Sequence, residues 1–201
     1  MNSHQQNAIA IRIPALLVHF VIRQNQFQIG VGKLFAWLAL LLVGLSAAIV
    51  FVRYGFHSGS IALQETILYI HAIFFMMGMA YTLQQDGHVR VDVSYSRLSA
   101  KRKAMIDLFG SIVFALPSMI FILWIGWDYV HDSWAIQEAS AEAGGLPFLY
   151  LLKSFMLIMA GLMLLQILAM ISLAFCQIFY PQNPKVIALV ASQQHQREEP
   201  F

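Results

Sequence analysis

Four long apolar runs, each bounded by charged or polar residues, dominate the chain. LFAWLALLLVGLSAAIVFV stands between Lys33 and Arg53, and TILYIHAIFFMMGMAYTL between Glu65 and the pair Gln84 and Gln85. LFGSIVFALPSMIFILWIGW lies between Asp107 and Asp128, and SFMLIMAGLMLLQILAMISLAFCQIFY runs from Lys153 to Pro181. A helix needs about 20 predominantly apolar residues to cross the hydrocarbon core of a bilayer. The pattern therefore predicts an all-α integral membrane protein with four transmembrane helices, over about 34–53, 65–84, 107–127 and 148–180. Residues 33–181 form the membrane domain, preceded by a segment 1–32 and followed by a tail 182–201.

Two prolines punctuate this plan. Pro147 leads into the fourth span. Pro117, in the middle of the third, removes a backbone donor and crowds the preceding turn, so a kink is expected there. Trp37, Tyr54, Tyr81, Trp124, Trp127, Tyr150 and Tyr180 fall near the span ends, where amphipathic rings prefer the headgroup level. Before the first span, a helical drawing puts Ile9, Ile13, Leu16, Leu17 and Phe20 on one side and Arg12, His19, Arg23 and Gln26 on the other. That is the pattern of an amphipathic helix lying in the interface, against which Pro14 argues.

Composition agrees. The chain of 201 residues is 59% hydrophobic and 11% charged, against about a quarter charged in soluble domains. So few charges cannot cover a water-facing surface. A net charge of +2 is too small to argue for nucleic acid, and one cysteine, Cys176, excludes an internal disulfide. The distribution of bases says more than their sum. All lysines and arginines except Arg53 and Lys153 fall on one side of the four spans, which predicts both termini in the cytoplasm. The loop ahead of Pro147 carries Asp128, Asp132, Glu138 and Glu142 and no base. The cluster Lys101, Arg102 and Lys103 suits the anionic inner leaflet, so membrane lipid is an expected partner.

Deep in the spans, His71 is the one ionisable side chain besides Cys176. A haem pair would need a second histidine at matching depth and a proton relay a charged neighbour; neither is present, and a hydrogen bond between helices is the simpler expectation. Gly44 with Ala48, and Gly78 near Ala80, let helices approach closely. Arg53 reads as a snorkelling end residue, open to pairing with Glu65. In Asp86-Gly87-His88-Val89-Arg90-Val91-Asp92, the ligand types would suit a metal, but Arg90 would repel a cation. A structural turn is preferred, with Gly87 supplying an awkward backbone angle and Arg90 pairing with Asp86 or Asp92. The alternation from His88 onward fits a strand or an extended connector equally. No metal, cofactor or catalytic residue is expected.

Four segments carry a family resemblance. VRYGFHSGSIALQE (Val52 to Glu65) follows the first span and GMAYTLQQDGHVRVDVSYSRLS (Gly78 to Ser99) closes the second. SWAIQEASAEAGGLP (Ser133 to Pro147) follows the third, and Lys153 stands six residues beyond its proline. In these the chain resembles the small permease subunit of TRAP transporters, the DctQ type, over about residues 30–175; KSFMLIMAG departs from it in lacking an early proline in the fourth span. The resemblance implies a non-enzymatic multi-pass subunit in the bacterial inner membrane. Its implied partners are a large multispanning permease subunit of elevator type and a periplasmic binding protein that delivers an organic acid for sodium-driven uptake. It makes Arg53, Glu65, Asp128 and Asp132 candidates for contact with the binding protein. It makes Gly44, Ala48, His71, Gly78, Asp86, Gly87, His88, Arg90, Asp92 and Lys153 candidates for the large-subunit interface or for structural roles. A four-helix membrane cytochrome or redox protein, and a self-sufficient small transporter, are the competing classes. The first lacks paired histidines and cysteines, the second a membrane-embedded acid.

Overall fold

The computed structural model describes residues 3–87 and 98–198, with side chains described for 14–87 and 98–193. The described residues are helical apart from short connections and contain no strand. Helix α1 spans Ser3–Gly55, α2 Ile61–Gln84, α3 Ala100–Gly110, α4 Leu116–Ala135, α5 Leu149–Phe179 and α6 Pro184–Glu198. A π-helical turn, Ser111–Ala115, joins α3 to α4. Four stretches are long and apolar enough to cross a membrane: Pro14–Gly55, Ile61–Gln84, Ala100–Ala135 and Leu149–Phe179.

Each helix overruns its apolar run, because backbone hydrogen bonding does not stop where charge begins. Helix α2 starts a turn ahead of Glu65, where the Ser60 hydroxyl accepts the Leu63 N–H at 3.4 Å. The break expected at Pro117 takes the form of the π turn just ahead of it. A proline cannot donate to the carbonyl four residues back, and a wider turn absorbs the misfit. The tail contains an unforeseen helix, α6: the Asn183 side chain accepts the Lys185 N–H at 3.0 Å and Pro184 takes the first helical position.

Helix α1 departs furthest from expectation. The amphipathic segment and the first span form one helix of 53 residues, about 80 Å at 1.5 Å per residue, and Pro14 lies within it. Leu17 and Phe20 of its apolar side pack against the core, and His19, Arg23 and Gln26 of the other side are exposed, but the covered face reaches beyond that reading. Leu16 is 71% exposed, whereas Val18, Val21, Gln24, Asn25 and Gln28 are buried. The steps from Pro14 through Val18, Val21 and Asn25 to Gln28 alternate four and three, a seam that faces neighbouring helices. Ile9, Arg12 and Ile13 lie outside the described side chains.

The chain divides into two compact units. The unit of Met1–Gln28, Thr82–Met119 and Met163–Phe201 has a core of Val18, Val21, Ala169, Cys176, Val186 and Leu189. The unit of Ile29–Tyr81 and Ile120–Leu162 is tied by two close approaches at glycine. A Cβ on Gly32 would stand 2.5 Å from Tyr81 Cγ, and one on Gly126 2.9 Å from Met156 Cε. At Gly44 and at Gly78 a Cβ would meet nothing within 4 Å, whereas Ala80 is buried at 1% exposure.

Gly32→Ala should therefore lower the thermal midpoint of the purified chain, because the rigid base of the Tyr81 ring must move; overpacking of this kind costs about 1–3 kcal/mol. Gly44→Ala should leave the midpoint unchanged. Equal midpoints for the two variants would contradict this packing.

Candidate functional site

The loop between α4 and α5, residues 136–148, is held by backbone and side-chain hydrogen bonds. It starts with a left-handed turn. Gln137 has φ 46°, its N–H reaches the Trp134 carbonyl at 3.2 Å, and the Glu138 N–H reaches the Ser133 carbonyl at 3.0 Å. This Schellman pattern stops α4 and turns the chain back. Further on, Gly145 N–H bonds the Glu142 carbonyl at 3.0 Å, with Gly144 at φ 81° in the position that a type II turn reserves for glycine. Between the turns the Ser140 N–H donates to the Leu146 carbonyl at 3.0 Å.

Glu65, in the second turn of α2, holds this loop. One carboxylate oxygen accepts a short hydrogen bond from the Ser140 hydroxyl, and the other accepts the Leu146 N–H at 2.6 Å. Gly145 must be glycine here, since a Cβ would fall 2.6 Å from Ser140 Cβ and 2.8 Å from Glu65 Oε1.

A second tie joins the loop to α5. The Lys153 ammonium donates a short hydrogen bond to Glu138 and sits 4.0 Å from the centroid of the Tyr129 ring. With 13% of its side chain exposed, Lys153 is sheltered, and Glu138 is the anion that makes such shelter tolerable. The same ammonium holds the Glu138 carboxyl below the usual carboxylate range. Beside it Trp134 Nε1–H donates to Ser154 Oγ at 2.8 Å, and the Trp134 ring meets Tyr150 edge-on at 4.7 Å between centroids.

Several residues foreseen as sites now have places. Arg53 is exposed, and the pair with Glu65 left open by the sequence is not formed, because the loop occupies both Glu65 oxygens. Asp128 and Asp132 are exposed, with Asp132 3.4 Å from His131 Nδ1. Gly44, Ala48 and His71 are exposed, and the helix-to-helix hydrogen bond expected of His71 is absent among the described residues; its ring lies 6.4 Å from that of Phe75. Asp86 and Gly87 do form a turn, with the roles exchanged. Asp86 carries the left-handed angle, φ 60°, while Gly87 N–H bonds the Thr82 carbonyl at 2.9 Å and Asp86 N–H the Leu83 carbonyl at 3.1 Å. Aspartate tolerates that region better than most residues, which suffices for a Schellman end to α2. His88, Arg90 and Asp92 lie outside the described residues. Sequence reasoning passed over Ser140, Gly145 and Tyr129, and grouped Glu138 with free surface acids. The adjacent glycines ahead of Pro147 were the available signal of a tight fold-back.

Among the described residues no three His, Cys, Asp or Glu side chains gather as metal ligands would. What is built is a hydrogen-bonded loop joining the starts of two apolar helices. A family model described as "Tripartite ATP-independent periplasmic transporters, DctQ component" matches residues 34–177. The chain belongs to this family. It is thus a small membrane subunit of a TRAP transporter, a multi-pass component of the inner membrane. No curated protein and no solved structure matches it. The matched DctQ segment contains Glu65, the whole loop and Lys153, and excludes α6 and residues 1–33.

The Lys153–Glu138 tie has a defined pH signature. Because the folded carboxyl titrates below its unfolded value, near 4.3, its contribution is complete above that value and is lost as pH falls through the folded one. The difference in thermal midpoint between the unaltered chain and Glu138→Gln should be constant at neutral pH and shrink under acid. A difference independent of pH from 7 to 3 would show that the pair contributes nothing.

Proposed function

We propose that this DctQ subunit is a stationary brace for a large elevator-type permease subunit, in a sodium-coupled system that takes up an organic acid delivered by a periplasmic binding protein. The observation that carries this reading is His71. It stands ten residues into the 24-residue helix α2, about 15 Å from its start, exposed between the exposed side chains of Leu68 and Phe75. An imidazole at that depth cannot snorkel to water, and polar groups inside a membrane are costly unless a neighbour meets them. The described residues of this chain supply no partner, so a companion protein supplies it. The described spans also lack the midplane charges and broken helices with which transporters hold ions and carboxylates.

Orientation follows from charge. With both termini cytoplasmic, only Arg53 and Lys153 stand on the periplasmic side. Lys153 is neutralised there by Glu138, which removes most of the exception. The loop 136–148 then faces the periplasm. Exposed Arg53, Asp128 and Asp132 form the surface on which the binding protein docks, while Glu65 acts behind it by holding the loop. Gly44, Ala48 and Gly78 are contact points for the large subunit, and Asp86 with Gly87 sets the exit of α2 towards His88, Arg90 and Asp92.

His71→Leu separates bracing from folding. In the isolated chain the thermal midpoint should be unchanged, since no internal bond is lost. When the variant is co-expressed with the large subunit, recovery of the pair at limiting expression should fall roughly threefold, the equivalent of about 0.6 kcal/mol for a membrane hydrogen bond. Full recovery of the pair would count against His71 as a contact.

A further inference from the structure

The first part of α1 and helix α6 lie outside the segment that the family model matches, yet they are packed. Val18 and Val21 share a core with Ala169 and Cys176 of α5 and with Val186 and Leu189 of α6. Within the same unit the α1 seam then turns polar. Gln24 and Asn25 are each 7% exposed, Gln28 0%, and Gln166 of α5 2%. Gln166 Nε2–H donates to Asn25 Oδ1 at 3.3 Å. That bond leaves Gln166 Oε1 without a hydrogen-bond partner among the described residues, and Gln24 Nε2 is in the same position.

We propose that this carboxamide seam is a water-binding site, in which ordered water accepts a hydrogen bond from Gln24 Nε2–H and donates one to Gln166 Oε1. The chemistry selects the ligand. A buried donor and a buried acceptor, both neutral, suit a small molecule that both accepts and donates; a cation would want several oxygens and an anion several N–H groups. Water bridging buried polar groups is a regular part of protein interiors. The seam occupies the place that a buried asparagine takes in helix pairs, where one polar position fixes register. Hydrated, it fixes residues 14–28 of α1 on α5, so that the extension of this chain beyond the family's matched segment sits in one register.

The sign of one substitution tests this. In a dry seam Gln24→Met removes an unpaired buried amide, and the thermal midpoint of the full chain stays or rises. In a hydrated seam the same change strips the water of a ligand, and the midpoint falls by about 2–4 °C. We expect the fall. An experimental density map of the unaltered chain, at a resolution that shows ordered water elsewhere, should carry peaks about 2.7–3.2 Å from Gln24 Nε2 and from Gln166 Oε1. An unchanged or raised midpoint, or both atoms dry in that map, overturns the proposal; should Gln24→Met fail to accumulate, the map decides alone.

Discussion

An ammonium near the start of one apolar helix and a carboxylate near the start of another cannot both be left to lipid. The chain meets this constraint at Lys153 and Glu65 with a single loop. Residues 136–148 bring Glu138 to Lys153 and bring the Ser140 hydroxyl and the Leu146 N–H to Glu65. The turns at Gln137 and Gly144 give the loop its path, and Gly145 leaves room for the carboxylate to close on it. Charge at the membrane edge thus becomes connectivity: α2, α4 and α5 are tied through a segment with little apolar core of its own.

The two compact units solve the same packing problem with different chemistry. Where Ile29–Tyr81 and Ile120–Leu162 come together, close approach at Gly32 and Gly126 lets side chains mesh, and polar bonds are gathered in the loop. In the unit containing Met1–Gln28 the contact is an apolar core followed by a carboxamide seam. Carboxamides hydrogen-bond without carrying charge, so they can be buried at less cost than the lysine and glutamates of the loop.

Much of this was legible in the sequence, and the rest was hidden for identifiable reasons. Four spans follow from apolar runs between charges, and the disturbance at Pro117 from its missing donor. Its form as a π turn depends on how the backbone relaxes, which composition does not record. A short Asp-Gly exit pointed to a turn after α2 but not to which residue takes the left-handed angle, and aspartate took it. His71 could be assigned a depth, yet the direction it faces depends on helix rotation, to which an apolar run with weak periodicity is blind. The burial of Gln24, Asn25 and Gln28 on α1 was not foreseen, because hydrophobicity gives carboxamides no inward preference, whereas Asn25 is met inside by Gln166 of α5. Lys153 and Glu138 were visible as charges, but pairing across fifteen positions needed the fold-back at Gly144 and Gly145.

Transport in a defined membrane is the most direct measure of whether this subunit braces rather than carries. Vesicles containing this chain alone, with a sodium gradient, the binding protein and a labelled organic acid outside, should show no accumulation above protein-free vesicles. Vesicles that also contain the large subunit should accumulate the label only while the gradient lasts. Sodium-dependent accumulation by this chain alone would contradict the brace outright.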